Sequence, residues 1–92
     1  MPKRVDANQV QIVQALRACG CTVQVLSDVG KGCPDLLVGV RGINALLEVK
    51  DGAKTPSKQK LTPDEQEWHD SWRGEVVIVN SVDQALSALG LA

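Results

Sequence analysis

Two acidic residues and a lysine in the middle of the chain have a spacing that could support metal chemistry. Asp35 follows a proline, and Glu48 and Lys50 lie at the far end of a second apolar stretch. Residues 35–40 and 43–49 have the composition of strands, and residues 41–42 between them have the composition of a turn. The sequence therefore predicts a β-hairpin that carries one acid at each of its open ends.

If this hairpin is symmetric about its turn, Asp35 lies directly opposite Glu48 on one face. The Cβ atoms of such a pair are about 4.5–5.5 Å apart, and like charges so close repel each other unless a cation or a shared proton intervenes. Lys50 lies two residues beyond Glu48, so strand alternation places it on the same face. Two carboxylates, a divalent cation and a lysine are suited to hydrolysis of phosphodiesters.

The predicted pairing depends on the length of the hairpin loop. A two-residue loop at 41–42 or a four-residue loop at 40–43 keeps Asp35 opposite Glu48, whereas a three- or five-residue loop moves the two acids apart. Arg41 is an unfavourable first residue for a type I′ turn, because both central residues of that turn need positive φ. The sequence leaves these loop lengths open.

The remaining elements follow from periodicity and from helix-capping residues. Asp6 and Gln9 have the spacing of a capping box at the start of a first helix. Thr62 and Pro63 are typical of the start of a second helix. The predicted elements are a helix at 7–19, strands at 22–27, 35–40 and 43–49, a mobile loop at 51–61, a helix from Thr62 to Arg73, a strand at 75–80 and a last helix from Ser81 to Gly90. This αβββαβα order predicts an α/β fold with a mixed central sheet flanked by helices.

Composition limits the classes of protein to which the chain can belong. With 92 residues, we expect a single domain over 1–92, and a net charge of −1 with a pI near 5.7 gives no general affinity for nucleic acids. Any such affinity must come from a local basic patch, for which the candidates are Lys31, Lys54, Lys58 and Lys60. No apolar stretch could span a membrane and no signal peptide is recognisable, so we expect a soluble, cytoplasmic protein.

Three cysteines and two tryptophans complete the sequence-based expectations. The odd number of cysteines lacks the spacing of metal ligands, which favours reduced, mostly buried thiols over a zinc site. Trp68 and Trp72 are four residues apart on the second helix, where they could pack in the core or form a helix-to-helix dimer seam. His69 has Glu65 and Arg73 as neighbours on its helix face, and we expect both to be solvated.

Four separated segments resemble one nuclease family in the same order. They are Gly-Cys-Pro-Asp-Leu-Leu-Val-Gly at 32–39, Leu-Glu-Val-Lys-Asp-Gly at 47–52, Leu-Thr-Pro at 61–63 and Val-Val-Ile-Val-Asn-Ser-Val-Asp at 76–83. The chain thus resembles, over roughly residues 6–90, the virus-type replication-repair nucleases (VRR-NUC) of the PD-(D/E)xK superfamily. The resemblance implies a restriction-endonuclease-like αβββαβ core and a Mg²⁺- or Mn²⁺-dependent DNA endonuclease, related to Holliday junction resolvases and often dimeric.

The resemblance also assigns roles to individual residues. Asp35 and Glu48 would hold the metal, Lys50 would position or help to activate the attacking water, and the Val49 carbonyl would be a further metal ligand. Many relatives also place a carboxylate on the first helix, facing the site. Here the first helix offers Asp6, Asn8, Gln9 and Gln11, which leaves an amide at the usual position if Asp6 caps the helix.

The expected partners follow from the same resemblance. We expect DNA, either branched like Holliday junctions and flaps or nicked, together with a second copy of the chain. The Lys31 region lacks the spacing of a nucleotide-binding loop, so no nucleotide cofactor is expected. The family is compatible with a phage-encoded protein in a bacterial host. The alternative function is a DNA-binding or assembly module that kept the nuclease scaffold but lost efficient catalysis.

Overall fold

The computed structural model describes residues 6–92. The first helix, α1, spans Gln9–Ala18 and buries Ile12, Val13 and Leu16, which recur at the spacing of one helix face. The predicted capping box at its start is wrong. Asn8 is the N-cap residue and makes no side-chain cap hydrogen bond, while the Gln9 backbone N–H donates to the backbone carbonyl of Asp6. Because the Gln9 side chain is buried, it does not reach back to cap the helix.

Four strands form one mixed sheet. They are β1 at Thr22–Val25, β2 at Leu36–Val40, β3 at Ile43–Val49 and β4 at Val76–Val79, and they lie in the order β1-β2-β3-β4. Strand β2 is antiparallel to both β1 and β3, and β4 pairs with β3 in parallel. Helix α2 at Pro63–Ser71 lies between β3 and β4 along the chain, and helix α3 spans Val82–Ala88. The predicted element order and the mixed sheet are confirmed.

A two-residue turn closes the β2–β3 hairpin. Val40 pairs with Ile43 and Leu36 pairs with Leu47, so the symmetric register is confirmed. Arg41 and Gly42 have φ values of 53° and 76°, the positive angles that a tight hairpin turn of this length requires. Arg41 adopts the left-handed region despite its side chain because this turn matches the twist of the strands.

The hydrophobic core lies on one face of the sheet. Leu36 and Val38 of β2, Leu47 and Val49 of β3, and Val79 of β4 are all buried there. Helices α1 and α3 contact each other and contribute to this core through Ile12, Leu16 and Ala85. The side chains on the opposite face of the sheet therefore do not belong to this core.

The connection between β3 and α2 is more ordered than the sequence suggests. Residues Pro56–Gln59 form a short 3-10 helix inside the stretch predicted to be a mobile loop. The Gln59 side-chain amide donates to the Lys54 carbonyl at 2.7 Å, and Asn80 donates to the Gln59 side-chain oxygen at 3.2 Å. The second of these bonds links positions distant in sequence, which local composition does not reveal. None of the helices in residues 6–92 is long and apolar enough to cross a membrane.

Candidate active site

The hairpin register brings the two predicted metal-binding acids to one end of the sheet. Leu36 pairs with Leu47, so Asp35 and Glu48 occupy the next position outward on the two strands. Asp35 is 4% exposed and Glu48 is 0% exposed. Because Leu47 and Val49 face the core, alternation places Glu48 and Lys50 on the opposite face of β3. The predicted trio therefore gathers on the face of the sheet away from the core.

A backbone hydrogen bond ties Asp35 to the neighbouring strand. The Val49 amide N–H donates to Asp35 Oδ2 at 2.7 Å, within the range for bonds to a charged acceptor. The Asp35 backbone carbonyl accepts a hydrogen bond from the Leu26 N–H at 2.8 Å. Asp35 is thus fixed from both sides, by the chain after β1 and by the end of β3.

Lys50 forms a buried ion pair with helix α2. Its Nζ donates to Glu65 Oε1 at 2.6 Å, and both side chains are almost inaccessible to solvent. The same Glu65 oxygen accepts the Thr62 backbone N–H at 2.8 Å, while Thr62 Oγ1 accepts the Glu65 N–H at 3.2 Å. These reciprocal bonds form the capping box of α2, which begins with Pro63 at its first position. Glu65 Oε1 therefore accepts hydrogen bonds from both the start of the helix and the lysine.

Glu48 contacts the same helix one turn further along. His69 Nε2 lies 3.3 Å from Glu48 Oε1, with the donor role set by the tautomer of the imidazole. Residues four apart on a helix are separated by about 6 Å along its axis, and alternate residues of a strand by about 6.6 Å. The pair Glu65 and His69 on α2 therefore matches the pair Lys50 and Glu48 on β3.

Sequence reasoning missed these two α2 residues. The expectation that Glu65 is solvated is wrong, because the helix start lies over Lys50. The capping-box spacing shows that the Glu65 carboxylate turns back toward Thr62, but it cannot show which strand lies beneath it. His69 is the single histidine of the chain, and its contact with Glu48 depends on how α2 packs on the sheet.

The three first-helix residues have different surroundings. Asn8 Nδ2 donates to the backbone carbonyls of Lys50 and Asn80, at 3.0 and 3.1 Å, so it joins the ends of β3 and β4. Asp6 lies 3.8 Å from Lys54 Nζ in a partly exposed ion pair. Gln9 is buried, and its side-chain nitrogen donates to Ser27 Oγ at 3.3 Å. The structure thus places an amide, and no carboxylate, at the buried first-helix position.

The donor chemistry of the site fits a hard divalent cation held by few protein ligands. Asp35 and Glu48 supply carboxylate oxygens, which Mg²⁺ and Mn²⁺ prefer. Within residues 6–92, no group of three His, Cys, Asp or Glu side chains is arranged to hold an ion. Mg²⁺ commonly uses one or two carboxylates and keeps water or substrate phosphate for the rest of its coordination shell. A two-carboxylate site is therefore chemically adequate.

The four lysines predicted to contact DNA are all exposed. Lys31 has a φ of 53° and lies between two glycines that also have positive φ. A Cβ atom at Gly32 would lie 2.2 Å from the Asp64 carbonyl oxygen, so only glycine allows this loop to contact the start of α2. Lys31 consequently lines a surface groove beside Trp68, close to the helix that covers the trio. Lys54, Lys58 and Lys60 lie on or beside the short 3-10 helix.

The two tryptophans lie outside the core. Their rings stack with centroids 4.5 Å apart, and Trp72 is 48% exposed. Of the two placements that the sequence leaves open, packing in the core is wrong, because α2 covers the other face of the sheet. Of the three cysteines, only Cys21 is buried, while Cys19 is exposed and Cys33 is half-buried, so the expectation of mostly buried thiols is wrong.

Comparison with known proteins identifies a solved structure that is similar over most of the chain. The structure is titled "VRR_NUC domain", and it is 31% identical to this chain. The alignment covers 89% of each chain with a TM-score of 0.65. No family model and no curated protein matches the sequence. The two chains are therefore similar in sequence as well as in fold.

Proposed function

Because this chain belongs to the VRR-NUC family and thus has a nuclease-like function, we propose that it is a Mg²⁺- or Mn²⁺-dependent DNA endonuclease. The observation that supports the proposal most is the position of Asp35 and Glu48, two buried acids at one end of a hairpin. Two neighbouring buried carboxylates repel each other even though each has a hydrogen-bond partner, so their position favours a functional explanation. A metal-binding role supplies one.

Each residue of the trio has a chemical role in this proposal. Asp35 and Glu48 bind the cation, with the Val49 carbonyl as a further oxygen ligand. The bound cation supplies Lewis-acid stabilisation of the charge that develops on the phosphate. The Lys50 ammonium orients the attacking water or offsets developing negative charge, since it lies on the same face of β3 as Glu48. Gln9 provides an amide where relatives carry an acid.

The direct test is a plasmid-nicking assay with Mn²⁺ and with a chelator. We expect the wild-type protein to nick DNA only with metal, and Asp35→Ala or Glu48→Ala to abolish nicking while the protein stays folded. Glu67→Ala is the matched control, because Glu67 is an exposed acid on α2. Metal-dependent nicking that persists in either site variant would contradict the assignment of metal ligands.

DNA binding in this proposal depends on exposed lysines in the segment between β3 and α2. Replacing Lys54, Lys58 and Lys60 by Ala should weaken binding to all DNA sequences alike, because phosphate contacts carry no sequence information. The slope of log affinity against log salt should fall by about 0.9 for each phosphate that is no longer neutralised by a lysine. Fluorescence anisotropy at several salt concentrations measures this slope, and an unchanged slope would exclude the three lysines from the interface. Branched and nicked duplexes are the proposed substrates, to be compared with linear duplex in the same assay.

We further propose that the enzyme acts as a homodimer. This proposal rests on the family, and in such a dimer the exposed side chains of Trp72, after α2, and Ile78, on β4, are candidates for burial between the copies. Two copies would place two lysine patches on one substrate and raise affinity through effective concentration. Sedimentation at micromolar protein concentration, with and without branched DNA, should show a dimer. Detection of monomer alone in both conditions would contradict this part of the proposal.

A second candidate function is a DNA-binding module with little or no catalysis. It is favoured by one observation, that the buried first-helix position carries the amide of Gln9 and not a carboxylate. This candidate predicts DNA binding that does not change when metal is added and no nicking under any condition. The nicking and anisotropy assays together distinguish the two functions.

A further inference from the structure

The contact between Lys50 and Glu65 joins the proposed catalytic lysine to helix α2. The ammonium nitrogen lies 2.6 Å from Glu65 Oε1, and that oxygen also accepts the Thr62 N–H. The Glu65 backbone N–H in turn donates to Thr62 Oγ1. Glu65 is therefore fixed by the start of its own helix, and the lysine meets a carboxylate that is already oriented.

Without Glu65, the Lys50 ammonium would have other acids to bind. Glu48 is on the same face of β3, and the hairpin register places Asp35 opposite Glu48. A buried ammonium without a counter-ion is strongly unfavourable, so the flexible lysine side chain would turn toward these carboxylates. A lysine bound there would compete with a divalent cation, because both cations need the same oxygens.

We propose that Glu65 is a positioning residue that holds the Lys50 ammonium so that it does not compete with a divalent cation for Asp35 and Glu48. This inference rests on the proposed metal-dependent function. It adds α2 to the site as the helix whose Glu65 keeps the Lys50 ammonium apart from the two carboxylates. The same ion pair keeps the ammonium at a defined place beside the site, where it can act on water or phosphate. In this role Glu65 acts through Lys50 and not as a ligand of the cation.

The packing of α2 on β3 supports this role. Glu65 and His69 lie one turn apart and contact Lys50 and Glu48, two residues apart on the strand. Helix α2 therefore places a carboxylate beside the lysine and an imidazole beside the glutamate of the same face.

The test measures Mn²⁺ affinity by titration calorimetry, which does not require cleavage. Glu65→Ala should weaken Mn²⁺ binding about 10–100-fold, the usual effect of removing a residue that supports metal ligands. Thr62→Ala is the matched control, because it also removes a capping bond but leaves the Glu65 carboxylate beside Lys50. We expect Thr62→Ala to bind Mn²⁺ like the wild-type protein. Thermal melts of each variant verify that it is folded.

The decisive variant is the double substitution Lys50→Ala with Glu65→Ala. If the released ammonium weakens Mn²⁺ binding, its removal should restore Mn²⁺ affinity to that of Lys50→Ala alone. A merely structural effect of Glu65 would weaken binding equally whether or not Lys50 is present. Glu65→Gln, which keeps an acceptor oxygen but lacks the charge, should bind Mn²⁺ with an affinity between those of Glu65→Ala and the wild-type protein.

The outcomes separate this inference from the proposed function. Unchanged Mn²⁺ affinity in Glu65→Ala, or no recovery in the double variant, would overturn the inference even if the wild-type protein cleaves DNA. A wild-type protein that binds Mn²⁺ without cleaving DNA, together with recovery in the double variant, would overturn the proposed function and support the inference. Absence of Mn²⁺ binding in the wild-type protein would overturn both.

Discussion

At the end of strand β3, over residues 47–50, both faces are buried but are built from opposite chemistry. Leu47 and Val49 lie in the core with α1 and α3, whereas Glu48 and Lys50 alternate with them and lie under α2. The apolar face needs only side chains of suitable volume. The charged face needs a specific partner for each group, which His69 and Glu65 provide.

Within one strand, the apolar face therefore contributes mainly to stability and the charged face mainly to the chemistry of the site. Burial of Leu47 removes apolar area from water and stabilises the fold. Burial of a charged side chain costs desolvation energy that its ion pair offsets at best, so the charged face adds little stability. The comparison predicts that neighbouring substitutions on β3 act on different properties of the protein.

The largest expected effect on stability comes from the apolar face. Leu47→Ala should lower the free energy of unfolding by about 2–5 kcal/mol, because it leaves a cavity in the core. Glu48→Gln keeps the side-chain volume and should change the free energy of unfolding by less than about 1.5 kcal/mol. Urea denaturation followed by tryptophan fluorescence measures both values. Equal destabilisation by the two substitutions would contradict the separation of roles.

A smaller effect is expected from the helix that covers the charged face. His69→Ala should reduce cleavage or metal affinity about 10–100-fold, because Glu48 loses the imidazole that orients it. His69→Gln retains an amide donor and should recover part of the activity. Glu67→Ala on the exposed side of the same helix is the control, with activity expected at the wild-type level. If His69→Ala matched this control, the contact with Glu48 would have no role in catalysis.

The smallest effect concerns a thiol at the edge of the core. Burial raises the pKa of the Cys21 thiol, with the nearby Cys19 adding to the rise and Arg41 opposing it. The folded protein therefore holds the Cys21 proton more tightly than the unfolded chain, and this contribution to stability falls as pH rises through the folded pKa. We expect iodoacetamide at mildly alkaline pH to modify exposed Cys19 before Cys21, with the difference abolished in urea. Mass spectrometry of peptides would show the order, and equal rates in the folded protein would contradict it.

The sequence is sufficient for the elements whose signals are local. The apolar pattern predicts the hairpin, and the observed register is one of those that the possible loop lengths allow. Thr62 with Pro63 predicts the start of α2. Capping and turn chemistry act over a few residues, so they are visible directly in the chain. This is why the strand positions of Asp35 and Glu48 are predictable.

The contacts that depend on packing between distant elements are not predictable in this way. The position of Glu65 is one case, because a helix period shows which residues share a face, but not what covers that face. The capping box predicted at Asp6 fails because Gln9 is buried against Ser27, eighteen positions along the chain. The metal-binding roles of Asp35 and Glu48 remain predictions that rest on chemistry and family resemblance.

The two-residue turn at Arg41 has a consequence for the order in which the protein folds. Closing this hairpin fixes a very short loop, whereas pairing β3 with β4 must bring together residues separated by the whole segment that contains α2. Short loops close faster and at lower entropic cost, so we expect the hairpin to form early and β4 to join late. The acids at positions 35 and 48 would then meet before their helical cover arrives. Their mutual repulsion should slow the first step of folding, and divalent cations should accelerate it.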